Sequence, residues 1–138
     1  MVEAKKCVLV VDDEPGIGRI LRIKLKLSGY EVITTTSGAE AIEMVRARKP
    51  DIMLLDFLMP GVTGVDVLSR VRSFSNVPII MFTGRPEIAD FALKLGADDC
   101  IGKPFDIDLL VEKIRLVLGR EGSDGGNRDD KEENTPGR

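Results

Sequence analysis

The chain has 138 residues, 43% hydrophobic and 31% charged, with a formal net charge of -3, the balance of one soluble domain able to close a single core. That charge leaves no basic footprint for nucleic acid, and no apolar run approaches the ~20 residues of a membrane span. The absence of histidine excludes histidine-based zinc sites, catalytic imidazoles and a phosphohistidine on the chain itself.

Residues 1–6 are too short and too polar for a signal peptide, so the expected location is the cytoplasm. The first apolar run, Cys7 to Val11, reads as a buried strand and delivers Asp12, Asp13 and Glu14 to its carboxyl end. Adjacent carboxylates repel, so they persist either in a solvated turn or beside a cation. Pro15 and Gly29 bracket a helix over residues 15–28 with an inward stripe of Ile17, Ile20, Leu21 and Leu25. Arg19, Arg22 and Lys26 share its outer face, flanked by Ile23 and Leu27.

Glu31–Thr35 forms a second strand, and Ser37 with Glu40 is a capping box opening a helix to about Arg48. Lys49-Pro50 leads into an unbroken run, Ile52, Met53, Leu54 and Leu55, expected of a central parallel strand buried on both faces. It ends in Asp56, which by itself could be no more than a turn cap. A helix over 64–73 points Val65, Leu68 and Val71 inward. The next strand, over 77–82, ends at Thr83-Gly84-Arg85, and a helix runs from Pro86 until Gly96 stops it. A short strand over 99–101 leads to Gly102-Lys103-Pro104. Asp106 caps a last helix over 107–118, closed by Gly119. Residues 121–138 lack any large apolar side chain and are expected to be a disordered tail, leaving one domain over 1–120.

Five strands alternating with five helices predict a three-layer α/β domain with a parallel sheet and right-handed crossovers. All strand carboxyl ends then share one edge, where Asp12, Asp13, Asp56, Thr83 and Lys103 meet. An all-oxygen cluster of acids suits Mg²⁺. A carboxylate beside a metal ion and an ammonium can serve as a nucleophile toward phosphorus.

These residues resemble the receiver domain of two-component response regulators. The match rests on Asp12-Asp13, on Asp56 with Met59-Pro60-Gly61, on Thr83-Gly84, and on Lys103-Pro104-Phe105, in that order along about residues 5–119. The resemblance implies a flavodoxin-like (βα)5 fold with sheet order 2-1-3-4-5. It implies that Asp56 accepts a phosphoryl group from a sensor histidine kinase or phosphotransfer protein. Asp13, Asp56 and the backbone carbonyl of Leu58 would bind Mg²⁺, with Asp12 helping through water. Lys103 would pair with a phosphoryl oxygen, Thr83 would move to it, and the Lys103-Pro104 bond would be cis.

The output partner is left open, and a phosphorylation-dependent homodimer is compatible with the resemblance. Lys24 stands where the family usually has an apolar residue, Thr63 replaces a frequent acid, and Cys100 replaces the aromatic switch residue. Cys7 and Cys100 are expected to stay unbridged, three strand positions apart. The alternatives weighed are a Mg²⁺-dependent aspartyl-phosphate hydrolase and a receiver that is never phosphorylated. The first lacks an acid two residues beyond Asp56, where Leu58 stands. The second is opposed by the intact Asp56, Thr83 and Lys103.

Overall fold

The computed structural model describes residues 4–123. Five parallel strands, β1 (Cys7–Val11), β2 (Glu31–Thr35), β3 (Ile52–Asp56), β4 (Ile79–Thr83) and β5 (Asp99–Gly102), form one sheet in the order β2-β1-β3-β4-β5. The helices are α1 (Pro15–Leu27), α2 (Gly38–Arg48), α3 (Gly64–Arg72), α4 (Ala89–Lys94) and α5 (Ile107–Ser123). The expected flavodoxin-like (βα)5 fold and strand order are what the chain adopts.

Strand periodicity divides the core between the two sheet faces. Leu9, Val11, Met53, Leu55, Ile79 and Met81 face α2, α3 and α4, through Ala41, Val45, Val67, Leu68, Val71 and Ala92. Val8, Val10, Ile52, Leu54, Ile80 and Phe82 face α1 and α5, through Leu21, Leu25, Leu110, Ile114 and Val117. β3 is buried along its whole length, so truncating Leu54 or Leu55 to alanine should cost about 2–5 kcal/mol.

Several local expectations are corrected. Ile20 is 53% exposed; each helical residue turns about 100° from the last, and with Leu21 and Leu25 against the sheet, Ile20 turns away. α5 passes through Gly119 to Ser123, so the boundary at residue 119 and the first residues of the expected tail are helical. Gly119 is not among the positive-φ glycines, and one glycine inside a helix costs only ~1 kcal/mol. The rest of the expected tail, 124–138, lies outside the described residues.

The β4 ladder starts at Ile79 rather than 77, because Pro78 has no N–H to give; its carbonyl accepts from Met53 N–H at 2.9 Å. The helix expected from Pro86 is a 3₁₀ turn, Pro86–Ile88, followed by the short α4. The Ser37 capping box is half-formed. Ser37 Oγ accepts from Glu40 N–H, but the Glu40 carboxylate takes the Thr35 hydroxyl instead of the Ser37 N–H. The complete capping box stands at α3, between Thr63 and Asp66, so Thr63 caps where the family has an acid.

Candidate functional site

The carboxyl edge of the sheet gathers the expected side chains. Asp12 follows β1, its N–H donating to Thr35 O at 3.2 Å, and its Oδ1 accepts the Glu14 N–H at 2.9 Å. Asp56 ends β3. The loop after it folds back tightly, with Gly64 N–H donating to Phe57 O at 3.1 Å. A Cβ at Gly64 would lie 2.1 Å from the Asp56 carbonyl oxygen, so only glycine lets α3 start this close to the site.

Lys103 follows β5 and is anchored by its N–H to Thr83 O at 2.7 Å. The Lys103-Pro104 bond is cis, and Phe105 packs on Phe82 with ring centroids 5.3 Å apart. The ammonium reaches back over the sheet edge. Lys103 Nζ lies 2.9 Å from Asp12 Oδ2, 3.4 Å from Asp56 Oδ2 and 3.9 Å from Glu14 Oε1. Glu14 was not expected in the site, although it closes the acidic run after β1. Asp12 and Asp56 are both buried, and Asp13 is half-buried.

Thr83 is buried at the end of β4, and its hydroxyl accepts from Arg85 N–H at 3.0 Å. Among the described residues the Thr83 hydroxyl makes no hydrogen bond to Asp56 or to the Lys103 ammonium. Leu58, two residues beyond Asp56, has an exposed side chain. Arg85 is exposed and paired with Glu87 at 3.1 Å.

Burial, the charge of Asp12 and a hydrogen bond with Asp13 push Asp56 from 3.8 up to about 7, against the pull of Lys103. Burial draws Lys103 down, but hydrogen bonds and charges from Asp12 and Asp56 outweigh it and raise the ammonium above its ordinary range. One oxygen each from Asp12, Asp13 and Asp56 fall within 4.8 Å of one another. Three carboxylates against one ammonium leave a surplus of negative charge in a partly dry site. The donors are all oxygen, so the set fits a hard divalent ion such as Mg²⁺.

Residues 8–115 match the family model described as the response regulator receiver domain. The chain belongs to the response regulator receiver family. Among curated relatives of this receiver, a protein described as a probable transcriptional regulator, ycf27, from Porphyra purpurea is 44% identical over 122 residues, covering 87% of this chain and 50% of the relative. The transcriptional regulatory protein KdpE of Mycobacterium tuberculosis is 41% identical over 115 residues, covering 82% of this chain and 51% of the relative. The receiver thus spans about half the length of the curated relatives it matches. A CheY-like receiver domain protein from Methanospirillum hungatei superposes with a TM-score of 0.81 at 28% identity, covering 88% of this chain and 99% of the other.

Proposed function

We propose that this receiver accepts a phosphoryl group on Asp56 from the phosphohistidine of a sensor kinase or phosphotransfer protein, and that the modification switches binding of an output partner. The observation that carries this is the Asp56 carboxylate enclosed by the Lys103 ammonium and the Asp12–Asp13 pair. In the transfer, an Asp56 carboxylate oxygen bonds to phosphorus as the P–N bond of the donor breaks. The imidazole nitrogen keeps the electron pair.

Asp13, Asp56 and the Leu58 carbonyl would hold Mg²⁺, with Asp12 acting through water; the bound ion would offset charge between carboxylate and phosphoryl oxygens. Lys103, already between Asp12 and Asp56, pairs with a phosphoryl oxygen. Asp12 keeps the ammonium at the sheet edge before and after transfer. Thr83 gives up its turn contact with Arg85 N–H and donates its hydroxyl to the phosphoryl group. Because Thr83 leads directly into the 3₁₀ turn and α4, that movement reaches Phe91 and Leu95, exposed one turn apart. An output partner, including a second copy of the chain, would read that surface.

The donor is proposed to dock on α1. Ile20, Ile23 and Leu27 are exposed there. Ile20 also lines an apolar groove of about 400 Å³ with Ile17, Leu21, Pro104 and Phe105, directly beside Lys103. Arg22, expected on the outer face of α1, is drawn away from that surface, because its guanidinium donates to Thr34 Oγ1 at 3.1 Å and Val32 O at 3.5 Å. A hydrolase role is disfavoured by Leu58, an aliphatic chain where such an enzyme needs an acid. No helix among the described residues is long and apolar enough to cross a membrane. The test is incubation with a small phosphodonor and Mg²⁺, read by intact mass. The receiver should gain one phosphoryl group and Asp56→Asn none; equal uptake by both would overturn the assignment.

A further inference from the structure

The transfer proposed for Asp56 gives no task to Glu14, the last acid of the run after β1. Glu14 stands immediately before Pro15 at the start of α1, and its carbonyl accepts the Ile17 N–H at 3.1 Å. An acid in that place ordinarily serves the helix, whose first N–H groups and macrodipole favour negative charge. Here the side chain makes no capping hydrogen bond. The carboxylate turns instead to the sheet edge, with Oε1 3.9 Å from Lys103 Nζ, and stays 69% exposed.

Its surroundings place that charge at the mouth of the site. Glu14 N–H donates to Asp12 Oδ1 at 2.9 Å, which ties its backbone to the buried acid beside Lys103. Lys103 Nζ is 3.4 Å from Asp56 Oδ2, so the Glu14 carboxylate and the phosphoryl acceptor are at most about 7 Å apart. Glu14 also lines the rim of the apolar groove made by Ile17, Ile20, Pro104 and Phe105. Apolar groups on one side leave its charge less screened than in open water.

We infer that Glu14 sets which phosphodonors the receiver accepts, favouring P–N donors over acyl phosphates. The inference rests on the role proposed for Asp56. In either transfer an Asp56 oxygen bonds to phosphorus, the bond from phosphorus to the donor breaks, and the leaving atom keeps the electron pair. A protonated P–N donor carries positive charge on its leaving group, which departs as a neutral amine or imidazole. An acyl phosphate releases a carboxylate, on which negative charge grows as the P–O bond breaks. Lys103 is drawn to the phosphoryl oxygens in both cases, so Glu14 meets the leaving group without its ammonium. It repels a departing carboxylate and does not repel a departing amine. One unit of charge at about 7 Å in a water-like medium changes a rate by about threefold.

The test compares phosphorylation rates of the whole chain with acetyl phosphate and with phosphoramidate, at saturating Mg²⁺, read by intact mass. Glu14→Gln should raise the ratio of the acetyl phosphate rate to the phosphoramidate rate by about threefold, and Glu14→Lys by about threefold again. A merely structural role, or an altered hold on Mg²⁺, would change both donors alike and leave the ratio where it was. The effect of Glu14→Gln on the ratio should shrink in about 1 M salt, where charges are screened within about 3 Å. An unchanged ratio in both variants, or a change undiminished by salt, would overturn the selectivity. If wild type gains no mass from either donor, the role of Asp56 fails and this inference with it, an outcome distinct from uptake with an unaltered ratio.

Discussion

Replacing Asp56 by asparagine should stabilise the metal-free receiver, and the gain should grow with pH. In the folded chain the Asp56 carboxyl holds its proton up to about pH 7, against an ordinary value of 3.8. The folded state therefore binds more protons than the unfolded state between those values, and stability falls as pH rises through that window. Above it, the ionised carboxylate costs the fold up to ~4 kcal/mol, a ceiling because the site can relax around the charge. Asparagine keeps the shape and removes the charge, so the variant should show no such loss.

The assay is urea unfolding of both proteins with chelator present, from about pH 4 to about pH 8. The two should be equally stable at the acidic end and diverge toward the alkaline end. The full difference would raise the midpoint of thermal unfolding on the order of 10 °C. Added Mg²⁺ should narrow the gap by stabilising wild type more than the variant. If Asp56→Asn is no more stable than wild type at about pH 8, the electrostatic reading of the cluster is wrong.

Truncation of Ile23 and Leu27 to alanine should slow transfer from the kinase by about tenfold or more, while transfer from a small phosphodonor stays unchanged; equal slowing with both donors would instead indicate a folding defect. The aspartyl phosphate should hydrolyse slowly, because neither Leu58 nor Arg85 can accept a hydrogen bond from the attacking water. Leu58→Asn with Arg85→Glu should shorten its lifetime, measured by loss of label, and no change would remove these positions from the gate. Cys100→Tyr should strengthen the dependence of partner binding on phosphorylation, since a ring can fill space that the cysteine leaves; unaltered coupling would refute a switch at this position.

The sheet and its reactive edge were legible because their signals are local and redundant. Continuous apolar runs mark β1, β3 and β4, and the carboxylates, threonine and lysine fall at strand ends whose common edge follows from parallel topology. The misread features depend on competition between neighbours. Ile20 looks like a core residue by spacing, but the groove toward Phe105 leaves it half in solvent. Arg22 reads as a surface charge, yet Thr34 and the Val32 carbonyl draw it back onto β2. Glu40 has a capping role by sequence that the Thr35 hydroxyl takes from it. Lys24, odd on an apolar stripe, pairs with Asp108 of α5 at 3.3 Å, a contact fixed only when the two helices pack side by side. The closeness of Lys103 to Asp12, shorter than to Asp56, likewise depends on the path of the chain after β5.

The most direct test of the account is the position of the phosphoryl group. After phosphorylation in the presence of Mg²⁺, borohydride reduction converts an aspartyl phosphate to homoserine, which peptide mass mapping can locate. The account predicts homoserine at position 56 and aspartate retained at 12 and 13. Homoserine at position 12 or 13, or a label that resists reduction because it is carried on a hydroxyl such as that of Thr83, would contradict it.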